Sequence, residues 1–171
     1  MIYKASLDIA SKVITFLCFI VFIYVGYKTF TSASTSSTGI NIYLVRIGVI
    51  MLLVTFILIC YLLSTKSYKL TADQITITRP LRSFSIKLAD IIKVELLSPE
   101  QLSGLIRTFG VGGMFGYYGK YYSSKLGPIN LYTTQRRNRI MIVTKANVAI
   151  VISPDDPSLY QKLITSINEL R

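Results

Sequence analysis

The chain has 171 residues, of which 51% are hydrophobic and only 16% charged, and its formal net charge is +11. That length suits one domain, or one domain with a membrane anchor, and a mean hydropathy of +0.51 favours the second. The absence of histidine excludes an imidazole base, a His-containing zinc site and the usual near-neutral pH switch.

The first apolar run is Val13 to Tyr27, bounded by Lys12 and Lys28. With Ile9 and Ala10 added and both lysines reaching toward water, it attains the ~20 residues of a spanning helix, over about 9–28. A rival reading is a cleaved signal peptide, with Lys4 and Lys12 as its basic start and Thr31, Ser32 and Ala33 as the cleavage site. The run is long for that role, and a second span follows directly. That span, 40–63, holds sixteen Leu, Ile, Val or Phe and one charge, Arg46. At about −0.3 to −0.6 kcal/mol each, these residues outweigh the ~3 kcal/mol penalty of a central arginine, and Arg46 lies near an end, where it costs less. Cys18 and Cys60 fall inside the two runs at depths differing by roughly 12 Å. A disulfide needs Cα atoms within about 7 Å, so both read as small buried hydrophobes.

Between the spans the outer loop, 29–39, is uncharged and rich in Ser and Thr. Lys4, Lys12, Lys66, Lys69, Arg79 and Arg82 lie on the opposite side; Lys28 and Arg46 weaken this asymmetry without reversing it. The positive-inside rule therefore puts both termini in the cytoplasm and the protein in the inner (cytoplasmic) membrane. The chain divides into a transmembrane hairpin, 1–64, and a cytoplasmic domain, 65–171.

The second part reads as a β-domain with one helix, an α+β chain overall. Ile75 and Ile77 alternate with Thr76 and Thr78, Phe84, Ile86 and Leu88 with Ser85 and Lys87, and Ile92, Val94 and Leu96 with Lys93 and Glu95. "SPEQLSGLIR" suits one helical turn, with Ser98 as cap and Pro99 at its first position. With "YKL" before the "TADQ" turn, "INLYTT", "RIMIVT" and "VAIVIS" complete seven short strands, predicting a sandwich or partly open barrel. In the tail, Leu159, Leu163, Ile164, Ile167 and Leu170 form one stripe of a helix that starts at Asp156 and Pro157 and closes the sheet pair.

The segment "FGVGGMFGYYGKYYSSKLG", 109–127, stands apart in composition. It is no Walker loop: Met114 stands where glycine is needed, and Tyr121 where Ser or Thr is. It is no dinucleotide loop either, since Phe115 replaces the last glycine and no βαβ unit surrounds it. A nucleic-acid platform is set aside because a membrane-tethered domain rarely meets DNA. The plainest reading has the glycines bending an irregular connection close to the sheet while Phe115, Tyr117 and Tyr121 extend the core.

The stretches "GYYGKYYSSKLG" and "VISPDDP" carry a resemblance. Residues 66 to 170 are similar to the bacterial pleckstrin-homology-like family, found behind one or two membrane spans. The resemblance implies a seven-strand antiparallel fold plugged by a C-terminal helix, and says far less about activity. Phosphoinositide-binding members of the pleckstrin fold carry basic residues around the first hairpin loop. The loop here, "TADQ", has none, which argues against specific inositol-phosphate recognition.

No His or Cys lies outside the spans, and Asp155 and Asp156 fit a helix start better than acid–base work, so no enzyme, cofactor or metal site is expected. The leading expectation is a non-enzymatic membrane protein whose β-domain binds a protein segment or a second copy of itself at the inner leaflet. The alternative is binding of an anionic lipid surface. The domain's fifteen Lys and Arg against seven Asp and Glu leave +8 on that side. The candidate lipid or partner contacts are Tyr117, Tyr118, Lys120, Tyr121, Tyr122, Lys125, Arg136, Arg137 and Arg139.

Overall fold

A computed structural model of the chain describes residues 1–31 and 42–170. The loop expected over 29–39, and the cleavage-site residues Ser32 and Ala33, lie from residue 32 onward outside the described residues. Two helices, α1 (Ile9–Thr31) and α2 (Ile42–Leu63), are long and apolar enough to cross a membrane. At 1.5 Å per residue, α1 is about 34 Å long. It outruns its expected end by three residues, and the hydroxyls of Thr29 and Thr31 donate back to the Val25 and Tyr27 carbonyls. The helices meet through Phe22 and Phe56, whose rings pack edge to face at 6.1 Å.

Two sheets follow. The first orders β1 (Ile2–Lys4), β2 (Ser67–Leu70), β3 (Gln74–Thr78) and β4 (Phe84–Lys87) as an antiparallel meander. The second contains β5 (Ile91–Leu96), β6 (Ile106–Gly113), β7 (Gly116–Ser123), β8 (Gly127–Thr133), β9 (Ile140–Thr144) and β10 (Ala149–Ile152), in the order β5-β9-β10-β8-β7-β6. β10 lies between β9 and β8 and runs parallel to β8, a departure from simple hairpin succession. The seven strands expected from alternation correspond to β2–β5 and β8–β10; β1, β6 and β7 are additional. β1 precedes the expected division at 64/65 and pairs with β2 beyond it, Tyr3 with Tyr68 and Lys4 with Ser67.

The main core fills the space between the sheets and α3 (Ser158–Glu169). Tyr68, Ile75, Ile77, Ile140, Ile142, Ile150 and Ile152 meet Leu159, Leu163 and Ile167 there. The apolar stripe of α3 thus closes the sheet pair as expected, while Leu170 stays exposed. At its start, Asp156 Oδ1 accepts the Ser158 N–H at 2.9 Å. A second core on the far face of the six-stranded sheet packs Leu97, Tyr117, Tyr121, Ile129, Leu131, Met141 and Val151. Leu102 and Leu105 of the connection after β5 cover it, which explains why β9 and β10 are apolar at successive positions: both faces are buried. Ser98 opens that connection with a turn, its N–H donating to Gln101 Oε1 at 2.8 Å.

The glycine-rich segment is a regular hairpin rather than an irregular connection. Gly110 and Gly119 sit opposite each other at φ 138° and 122°. A Cβ on Gly110 would stand 2.8 Å from the Gly119 Cα and one on Gly119 2.6 Å from the Gly110 Cα, so the two strands approach this closely only with glycine in both.

Candidate functional site

The hairpin tip docks on the helices. Phe115 turns the tip in the left-handed region, φ 54°, and its ring lies edge-on to Phe19 (6.2 Å) and Tyr61 (5.7 Å). Its N–H donates to Thr15 Oγ1 at 3.0 Å, while that hydroxyl donates to the Ser11 carbonyl. Left-handed backbone costs a non-glycine residue about 1 kcal/mol, which these contacts offset. Phe115 therefore extends the helix packing, and Tyr117 and Tyr121 extend the domain core as expected.

A helix end leaves its last carbonyls without helical partners. Those of α2 are met by the domain: the Tyr118 hydroxyl donates to the Cys60 carbonyl at 2.6 Å and the Leu81 N–H to the Leu62 carbonyl at 3.1 Å. At the other helix, Asp8 caps α1 by accepting the Ser11 N–H at 2.7 Å, and its own N–H donates to the Thr134 carbonyl. Burial raises the Tyr118 phenol well above its ordinary value, so the hydroxyl stays a donor at any physiological pH.

Successive residues of β7 face opposite ways, and this divides the expected contact residues into two groups. On one face Tyr117 and Tyr121 join Arg136 and Arg139, from the turn between β8 and β9, around a pocket of about 490 Å³. Arg107 of β6 completes it, with Leu97, Pro99 and Leu102 as an apolar wall. Arg136 Nε donates to the Tyr117 hydroxyl at 3.1 Å, and the Arg136 and Arg139 guanidiniums stand 5.3 and 5.9 Å from the Tyr117 ring centre. Arg139 is only 9% exposed, and its Nε donates to the Gln135 carbonyl. Burial, together with the neighbouring Arg136 charge, pulls its guanidinium below the usual value, and Asp8 opposes that. The Tyr121 phenol is pushed up by burial, while Arg107 and Arg139 pull it back. Three guanidiniums thus surround two tyrosines, and no carboxylate lines the space. Lys93 Nζ and Glu95 Oε2 pair at 2.9 Å, remote in sequence from this cluster.

On the other face, Tyr118 and Lys120 line a separate cleft against the helices. Tyr122 and Lys125 lie at the far end of the hairpin, where Lys125 Nζ donates to the Glu100 carbonyl. Arg137 is exposed in the β8–β9 turn. Arg107 is absent from the residues expected from the sequence. It sits alone in a stretch without other bases, and only the pairing of β6 with β7 brings it to Tyr121.

The sequence of 66–167, which forms β2 through most of α3, matches the bacterial PH domain family. The chain belongs to that family. No curated protein and no solved structure matches it. The bacterial PH domain accounts for both sheets save β1, which the segment before α1 supplies. PH domains are generally non-catalytic interaction modules. Asp155, expected at the helix start, is instead held by the N-terminal segment, accepting from the Ser6 N–H at 2.9 Å and the Ser6 hydroxyl at 2.6 Å.

Proposed function

We propose that this bacterial PH domain is a non-enzymatic recognition module held at the cytoplasmic face of the inner membrane by α1 and α2, and that Arg107, Arg136 and Arg139 take an anionic lipid headgroup there. The single observation that carries this reading is a cluster of three guanidiniums around Tyr117 and Tyr121 with no carboxylate in the lining. Its height supports the same reading. The turn bearing Arg136 and Arg139 begins at Thr134, bonded to the cap of α1, and Tyr117 follows the tip docked on Thr15 and Tyr61. Arginine suits the task, since its planar fork donates to two phosphate oxygens at once. The bias of Lys and Arg toward this side of the spans supports cytoplasmic termini.

The experiment is a titration of the detergent-purified full chain with short-chain phosphatidylglycerol and, separately, short-chain phosphatidylcholine. Preferential binding of the glycerol lipid, falling steeply with salt and reduced by one lipid per chain in Arg136→Gln/Arg139→Gln, is the expected result. Equal binding of both lipids, or no change in the double variant, overturns it.

The binding of a protein segment is favoured by a different observation. β6 is an edge strand of eight residues, with Ile106 64% and Phe109 77% exposed. An added strand or a second copy of the chain would cover it. Crosslinking in native membranes, followed by mass spectrometry, tests this: recovery of a protein joined at 106–109 is the expected result, and recovery of lipid alone removes it.

A further inference from the structure

The second cleft, about 800 Å³, opens between the helices and the outer face of β6–β8. Its lower wall is apolar and comes from the domain-proximal ends of both helices: Ile14 and Cys18 from α1, Phe56, Ile59 and Leu63 from α2. Its upper wall is strand, with Gly110, Gly112 and Gly119 among the side chains of Phe109, Val111, Tyr118 and Tyr132. The rim holds three cations, Arg79, Arg107 and Lys120, and no Asp or Glu. Arg79 is fixed in place, with Nε donating to the Arg82 carbonyl at 2.9 Å and its guanidinium 5.3 Å from the Tyr132 ring centre. Phe84 stacks on the same tyrosine ring, centroids 6.1 Å apart.

An apolar floor set among membrane-crossing helices and an uncompensated cationic rim are complementary to one kind of molecule. We infer that this cleft holds a single phospholipid of the inner leaflet, with an acyl chain against Ile14, Cys18, Phe56 and Ile59 and an anionic headgroup at Arg79, Arg107 and Lys120. The volume falls in the range of about 300–1,000 Å³ usual for small-ligand sites, enough for a chain and part of a headgroup rather than for a helix of another protein, about 10 Å across. A zwitterionic headgroup would bring its own cation to a rim that already has three, so the site selects for net negative charge. The inference rests on α1 and α2 crossing the bilayer but not on the arginine–tyrosine pocket, from which the cleft is separated by the β6–β7 sheet; Arg107 and Gly112 line both.

The test is native mass spectrometry of the full chain released from nanodiscs of mixed phosphatidylglycerol and phosphatidylcholine. One phosphatidylglycerol retained per chain in the cleft is expected, beyond any held by the arginine–tyrosine pocket. Arg79→Gln/Lys120→Gln should lower retention by roughly fivefold per cation removed. Arg79→Lys/Lys120→Arg should restore it. Ile59→Trp, which fills the floor, should release the lipid from a chain whose thermal unfolding in detergent is unchanged. Arg136→Gln/Arg139→Gln should retain it, and this separates the cleft from the pocket. A photoreactive acyl-chain phosphatidylglycerol should label the cleft-lining segments of α1 and α2. Lipid retained undiminished by the charge variant, loss confined to the Arg136/Arg139 variant, or a second protein chain in place of lipid would each overturn the inference.

Discussion

At the scale of single residues, the glycines of the hairpin divide into those that permit contact and those that merely turn. Gly110→Ala or Gly119→Ala forces a methyl into the facing strand. Either should cost well over the ~1 kcal/mol of left-handed strain alone. Gly104→Ala, also at positive φ but meeting open space, is the control that isolates the clash. Thermal unfolding of the three full-length variants should rank Gly104→Ala far nearer the parent. Tyr118→Phe leaves the Cys60 carbonyl buried without its donor and should cost about 1–3 kcal/mol, read in the same assay. Asp156 gives the pH dependence. The Ser158 N–H and hydroxyl hold its carboxyl below the ordinary range. A lowered carboxylate contributes above its unfolded value and stops contributing as the pH falls through the folded one. Protection factors of the amides at the start of α3, which correct for the intrinsic pH dependence of exchange, should therefore be level at neutral pH and fall only in acid, below pH ~4.

Among the elements, legibility followed side-chain alternation. β3–β5 alternate apolar and polar residues at period two, β9 and β10 are short apolar runs bounded by turns, and the apolar stripe of α3 gave its buried face. β6 and β7 were hidden because Gly and Tyr interrupt that alternation; a glycine pair across two strands is a feature of pairing, which a single strand does not display. β1 was hidden by its three residues and by the two helices between it and its partner. The basic turn of Arg136 and Arg139 was legible as chemistry, but its convergence with Arg107 depends on a long-range register. The docked tip gives a prediction at this scale. Phe115→Ala removes the ring wedged between Phe19 and Tyr61, so hydrogen exchange should rise in 110–119 while the amides of Ile140–Thr144 and Ala149–Ile152 stay protected. Equal exchange across the whole sheet would mean that the tip does not hold the two parts together.

For the whole molecule, the helix pair is joined to the PH domain at both ends. The chain leaves the first sheet through β1 and α1 and returns through α2 to β2, the adjacent lane. Asp155 binds Ser6, the Thr134 carbonyl binds the Asp8 N–H, and Lys66 lies 4.2 Å over the Tyr61 ring, so each junction is braced. A soluble fragment starting at residue 65 lacks β1 and bares one side of β2. It should be less stable than the full chain and prone to self-association through that edge. Tyr3→Ala in the full chain, which empties a core position without cutting the backbone, should cost about 3 kcal/mol in denaturant unfolding.

The placement of β1 also orders events during synthesis. The ribosome delivers this strand before either hydrophobic segment, and its partner only afterwards. The sheet stays incomplete until both helices have been delivered, so β1 waits across the whole helix pair for its partner.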